Sequence, residues 1–180
     1  MGLRKFESKI YGNYGRAAAK YGFFSGLIMM LVIMFRYWII YPIKQPVSYT
    51  ENIALFVLMI GSLVIYKRNL EEGRITFKEA FLLSFGVGVI ASIMYGMFLY
   101  IYASFIDMEF CNRCFDFHRS LSSNANLSDE EIHFITKPSS IAFSGILLST
   151  TVSILWAFIM SIMLRNEKAP IANKKLKKKK

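Results

Sequence analysis

The sequence has little of what most enzymes and disulfide-stapled domains are built from. It contains two cysteines, two histidines and four prolines in 180 residues. Two cysteines rule out a disulfide framework. They also rule out an internal electron relay, which needs a second cysteine pair. Two histidines leave little for a histidine-built metal centre. There is no phosphate-cradling glycine loop, no metalloprotease helix and no hydrolase elbow. Charge is missing altogether from two long stretches, 80–106 and 141–164. No Asp, Glu or Lys there can relay protons or ions, which counts against an energised transporter.

What is present is apolar length. Hydrophobic residues make up 54% of the chain, above the soluble norm even without counting Gly. A bilayer core about 30 Å thick takes about 20 helical residues. Four runs qualify, at about 21–41, 47–66, 80–106 and 141–164. Backbone groups in hydrocarbon need internal partners, and the alternation of barrel strands is absent, so the runs read as helices. The fold class is an all-α membrane protein, a four-transmembrane-helix bundle forming one domain over 1–166. Residues 167–180 form a basic, disordered tail.

Cap signals refine this picture. Thr76 with Glu79 is a capping box at the start of the third span. Ser128 with Glu131 is another, and it predicts a short helix between spans three and four that ends before Pro138. Pro42 and Pro46 flank the turn after span one.

The net charge is +10, but the basic residues sit at span ends rather than on a soluble face. Nucleic acid is therefore not the expected partner. Arg4, Lys5, Lys9, Arg16 and Lys20 precede span one. Lys67, Arg68, Arg74 and Lys78 separate spans two and three. Arg165, Lys168, Lys174, Lys175 and Lys177 to Lys180 follow span four. These seventeen face Lys44, Arg113, Arg119 and Lys137 on the other side. The asymmetry predicts both termini in the cytoplasm and the 107–140 loop outside. The lysine tail offers contacts to anionic lipid headgroups. A cleaved signal peptide is not expected, because the first apolar run is too long and starts after twenty mostly polar residues. Phe6 breaks the acylation pattern that Met1-Gly2 would open.

Small residues recur every four positions, which keeps them on one helix face. The third span has Ser84, Gly88, Ser92 and Gly96. The fourth has Gly145, Ser149, Ser153, Ala157 and Ser161. The first has Ala18, Gly22 and Gly26. The stripes of spans three and four read as a mutual packing contact. A polar pathway that includes Thr150 and Thr151 is the less favoured reading.

Certain segments resemble a known family. They are Gly73-Arg-Ile-Thr-Phe-Lys-Glu-Ala-Phe81 and Tyr100-Ile-Tyr-Ala-Ser-Phe-Ile-Asp-Met-Glu-Phe110 around span three, Lys20-Tyr-Gly-Phe-Phe-Ser-Gly26 at span one and Phe143-Ser-Gly-Ile-Leu147 at span four. In order and spacing they are similar to the Bacteroidota inner-membrane proteins catalogued as domain of unknown function 4199. Met108 departs from that pattern, which often has Pro there. The resemblance implies a multi-pass inner-membrane protein with four helices, and it carries over no catalytic residues.

Candidate chemistry lies mostly in the outer loop. Cys111-Asn-Arg-Cys114 could cycle between dithiol and disulfide, with Arg113 favouring the thiolate. The bland alternative is a structural disulfide or two inert thiols. Cys111, Cys114, His118 and His133 supply four potential metal ligands, though nothing in the sequence makes the histidines converge. Arg36 lies within span one, roughly 7–8 Å from its end. It reads as snorkelling to the headgroups among Tyr37, Trp38 and Tyr41, with pairing to Glu51 as the alternative. Met29, Met30, Met34, Met94 and Met97 read as packing residues. The functional expectation is a non-enzymatic scaffold or accessory subunit that needs no cofactor and contacts lipid and a second copy or another membrane protein. A small oligomeric transporter or channel ranks second, and a thiol-redox or metal-binding protein third. Reporter fusions placed after Lys180 and within 120–126 are expected to report opposite sides of the membrane. The same side for both would overturn the topology.

Overall fold

The computed structural model describes residues 2–39, 49–69, 75–121, 124 and 126–165. Within these, the side chains of residues 2–13, Trp38 and Tyr49 fall outside the description. So do the turn at Pro42 and Pro46, the basic residues Lys44 and Arg74, and the tail 167–180. Among the described residues every regular element is helical, and there is no strand. The helices are α1 (Gly2–Ile39), α2 (Tyr49–Arg68), α3 (Phe77–Ile101), α4 (Phe110–Ser120), α5 (Asp129–Ile135) and α6 (Pro138–Leu164). A single π-helical turn, Tyr102–Ile106, extends α3.

Four helices are long and apolar enough to cross a membrane: Tyr14–Tyr37, Thr50–Arg68, Phe77–Ile106 and Pro138–Leu164. Their number and order match the sequence expectation. The first differs in extent, since α1 begins at Gly2 rather than near residue 21. No proline interrupts the chain before Pro42, and exposed Arg16 and Lys20 ride on the solvent side of a continuing helix. Tyr14 anchors that extension by meeting Tyr66 of α2, with ring centroids 5.7 Å apart.

Both capping boxes form. The Thr76 side chain accepts from the Glu79 N–H, and the Glu79 carboxylate accepts from the Thr76 N–H at 2.8 Å. Ser128 and Glu131 do the same for α5. Two short helices lie between α3 and α6 where one was expected. The unexpected one, α4, begins directly after the chain reverses at Asp107. It carries no side-chain cap, so no cap signal in the sequence marks its start.

Helix α3 is the centre of the bundle. Of its apolar window 56% is buried, against 28–33% for the other spans. It is gripped on opposite sides. A Cβ on Gly88 would meet Ser153 Cβ at 2.5 Å, and one on Gly96 would meet Ile146 Cγ1 at 2.2 Å and the Ala142 carbonyl at 2.9 Å. Across α3, a Cβ on Gly86 would meet Ala18, while Gly22 and Gly26 of α1 press on Ile90 and Met94. Gly86 and Gly88 are two residues apart, about 200° around a helix of 3.6 residues per turn. One face of α3 therefore docks on α6 and the opposite face on α1. Ser84, Gly88, Ser92, Gly96, Gly145, Ser149, Ser153 and Ala157 are all buried. The hydroxyls of Ser92, Ser153 and Ser161 donate to carbonyls four residues back in their own helices. Thr151 does likewise on the exposed side. The small residues thus let the backbones of α3 and α6 approach, and these hydroxyls are bonded within their own helices.

Gly96→Ala is expected to destabilise the bundle by about 1–3 kcal/mol, because the added carbon meets a branched side chain and a backbone carbonyl. Gly61→Ala, where nothing lies within 4 Å, is the control and should be close to neutral. Unfolding of both variants in mixed micelles would measure the difference. Equal stabilities would contradict the tight α3–α6 seam.

Candidate functional site

The most unusual chemistry of the spans lies at the end of the bundle that carries α4 and α5, here termed the cap end. Arg36 is in the last turn of α1 and Glu51 in the first turn of α2. Each charge therefore sits at the helix end whose dipole favours it. The two meet: Arg36 Nε lies 2.9 Å from Glu51 Oε1, and Nη1 donates to Oε2 at 3.3 Å. Both are buried, at 8% and 1% exposure. This corrects the snorkelling reading of Arg36. A buried carboxylate on the neighbouring helix supplies in place what the headgroups would supply at a distance. Two charges withdrawn from water are tolerable only when closely paired.

An aromatic cluster adjoins the pair. Tyr37 of α1 stacks on Tyr102 of the π turn, with centroids 3.8 Å apart and planes 10° apart. Phe110 of α4 sets its edge against both rings, at 5.9 and 5.6 Å. The Arg36 guanidinium lies 5.8 Å from the Tyr37 ring centre, within cation–π range. The Tyr37 hydroxyl is buried without a hydrogen-bond partner.

A second ionic network holds α4 down. The Tyr102 hydroxyl donates to Asp107 Oδ2 at 2.9 Å, and Arg113 pairs with the same carboxylate oxygen. Glu109 lies 3.7 Å from Arg113 on the exposed side. These contacts hold the start of α4 at the π turn, where Phe110 and Cys114 are buried.

Cys111 and Cys114 fall one turn apart on α4 as free thiols, the first partly buried and the second fully buried. Burial pushes the Cys111 thiol up, and the Asp107 carboxylate adds to the effect. Burial pushes Cys114 up to about 12, reinforced by Cys111 and Asp107 and opposed by Arg113. The expected help from Arg113 is thus outweighed, chiefly by the burial of the thiol. Both thiols stay protonated at neutral pH, the unreactive form.

The four potential metal ligands do not converge. His133 is exposed and stacks on Phe115 with centroids 4.4 Å apart. His118 Nδ1 lies 3.2 Å from the side-chain nitrogen of Asn124. Among the described residues, no three His, Cys, Asp or Glu side chains come together as a metal site. The principal miss of the sequence reading is the Tyr37–Tyr102–Phe110 cluster. Its only signal in the sequence is the aromatic run around Arg36, which reads as an interfacial belt.

Residues 20–166 match the family described as protein of unknown function (DUF4199). The chain belongs to this family. The match covers the first span from residue 20 onward, the other three spans and the cap, so the ion pair and the α4 network both lie inside the DUF4199 region. No curated protein and no solved structure matches the chain.

Removing one member of the buried pair leaves the other charge uncompensated. Glu51→Leu is expected to cost about 3–5 kcal/mol of unfolding free energy in micelles. The double variant Arg36→Met/Glu51→Leu should recover most of that loss. A double variant no more stable than the single one would show that the charges serve something other than each other.

Proposed function

We propose that the protein is a non-enzymatic integral membrane protein acting as a scaffold or accessory subunit. The observation that carries this reading is the closure of the bundle. Its buried charges are spent on one another across α1 and α2. Its central helix is gripped on two faces at backbone-to-side-chain distance. A solute route needs polar groups that are free to exchange partners, and Arg36, Glu51, Ser92, Ser153 and Ser161 are instead engaged within the bundle. The low reactivity of the thiols supports the same reading against redox chemistry.

The outward features then carry the role. Phe105, Met108 and Phe134 are exposed around the cap end; the basic residues counted above favour both termini in the cytoplasm, and the family resemblance favours an inner-membrane placement. In this reading the cap meets a second copy or another membrane protein, and the lysine tail meets anionic headgroups.

The test combines two measurements on the full chain. A photo-crosslinking amino acid at Met108 or Phe134 in native membranes should give one reproducible adduct of defined mass, either a dimer or a complex with one membrane protein. Vesicles holding the purified protein should leak small ions and solutes no faster than protein-free vesicles. Flux that requires the protein and disappears in Gly96→Leu would overturn the scaffold reading in favour of an oligomeric transporter.

A further inference from the structure

Helix α5 has one side covered by the cap and one side open. Ile132 is buried, whereas Phe134 is 64% exposed and Ile135 38% exposed. Beside these two runs a groove of about 640 Å³, lined by Leu127, Ser128, Glu130, Glu131, Phe134 and Ile135. That volume lies within the range of ligand-sized sites. The lining is apolar side chains next to two carboxylates.

Charge decides what can cover this surface. Residues 107–137 hold six acidic residues against three basic ones, so the cap is negative overall. Two of the three cations are engaged by other carboxylates: Arg113 by Asp107 and Glu109, and Arg119 by Asp129 at 3.2 Å. Lys137, the third, lies 5.6 Å from the centre of the Phe134 ring. Its single charge can offset only one of the two groove carboxylates. The Glu131 carboxylate accepts from the Ser128 N–H at 2.7 Å and from the Ser128 hydroxyl at 2.9 Å, and these bonds hold its carboxyl below the usual carboxylate range. Its negative charge is therefore kept at neutral pH.

Three kinds of occupant meet such a surface differently. An acyl chain suits the phenyl ring but not ionised carboxylates beside it, and an anionic headgroup is repelled by them. A second copy inserted in the same orientation brings a cap with the same excess of negative charge, and like charges across an interface weaken it. A polypeptide that carries Lys or Arg next to an apolar side chain matches both features, an apolar anchor and a charged rim.

We propose that the groove beside α5 docks a cationic segment of a partner protein, with an apolar side chain of that segment seated against Phe134 and Ile135 and its Lys or Arg side chains meeting Glu130 and Glu131. This docking rests on the scaffold reading and narrows it: the neighbour at α5 is a basic segment of another protein and not a second copy.

The experiment mixes the full-length protein in phosphatidylcholine nanodiscs with a fluorescent peptide of lysine and leucine that carries one photo-crosslinking residue. Binding is read by anisotropy against empty nanodiscs, and adducts are mapped by mass spectrometry. Adducts should fall on 127–135, and affinity should drop as salt is raised. A counterpart peptide with glutamate in place of lysine should not bind. Glu130→Gln should weaken binding about threefold and Phe134→Ser about tenfold, while Glu130→Asp should retain it. Glu130 and Phe134 are exposed, so an unchanged unfolding midpoint will show that the bundle is intact in each variant. The proposal is overturned if the glutamate peptide binds as well, if Glu130→Gln and Phe134→Ser bind like the wild type, or if adducts spread beyond 127–135. It is also overturned if a photoactivatable phosphatidylcholine labels 127–135 and the lysine peptide does not displace it. A crosslink from Phe134 to a second copy in native membranes would overturn the docking and leave the scaffold reading standing, whereas protein-dependent flux would overturn the scaffold reading itself.

Discussion

Close approach of α3 to helices on two opposite sides is the constraint on which the rest of the bundle depends. In a bilayer, apolar side chains gain little by leaving lipid for one another, so association rests on packing contact and interhelical bonds. Gly86, Gly88 and Gly96 allow that contact on α3, while Gly22 and Gly26 allow it from α1 and Gly145 from α6. Side chains at these positions would push the backbones apart. With α1 and α6 fixed against α3, the outward faces of these helices are free to be largely apolar, as exposed Phe23, Phe24, Leu31, Phe143, Leu155 and Phe158 show.

The Arg36–Glu51 pair depends on this arrangement and in turn completes it. Helix α2 has fewer small-residue contacts to hold it. Gly61 has nothing within 4 Å of its would-be Cβ. A buried, two-point ion pair with α1 gives α2 a fixed place and rotation, and its geometry punishes slippage because either charge left alone in the interior is costly. Beside it, the Tyr37–Tyr102–Phe110 cluster joins α1, the π turn and α4. The cap is therefore tied to the same end of the bundle where the charges are buried. The opposite end is held differently, by Lys67 donating to the Leu164 carbonyl at 3.2 Å and by Phe77 against Phe158.

Much of the fold was legible in the chain. The four spans follow from uncharged length, and the starts of α3 and α5 from Thr76/Glu79 and Ser128/Glu131. The packing role of Gly88, Gly96, Gly145 and Ser153 follows from their spacing of four. Other features were not legible. The partner of α1's stripe is α3, and of the α3 residues that receive it, Gly86, Ile90 and Met94, the last two carry no small-residue signal. The reversal at Asp107 and the start of α4 depend on Tyr102 and Arg113 meeting one carboxylate, a contact made only after the chain has turned. For the candidate site, Arg36 and Glu51 were each visible as charges in apolar surroundings, but snorkelling and pairing are equally consistent with their positions along the chain.

The sequence by itself determined the number of spans, the face of each helix that carries small residues, the charge asymmetry and the family. These are properties of one helix or of one linear count, and local periodicity is enough to set them. Only the tertiary structure decided which faces meet, that Arg36 finds Glu51 rather than the headgroups, and that Cys114 lies on the buried face of α4 with its thiol held protonated. Those outcomes depend on how each helix is rotated about its axis relative to its neighbours. That rotation is fixed by all the contacts at once, and no single segment encodes it.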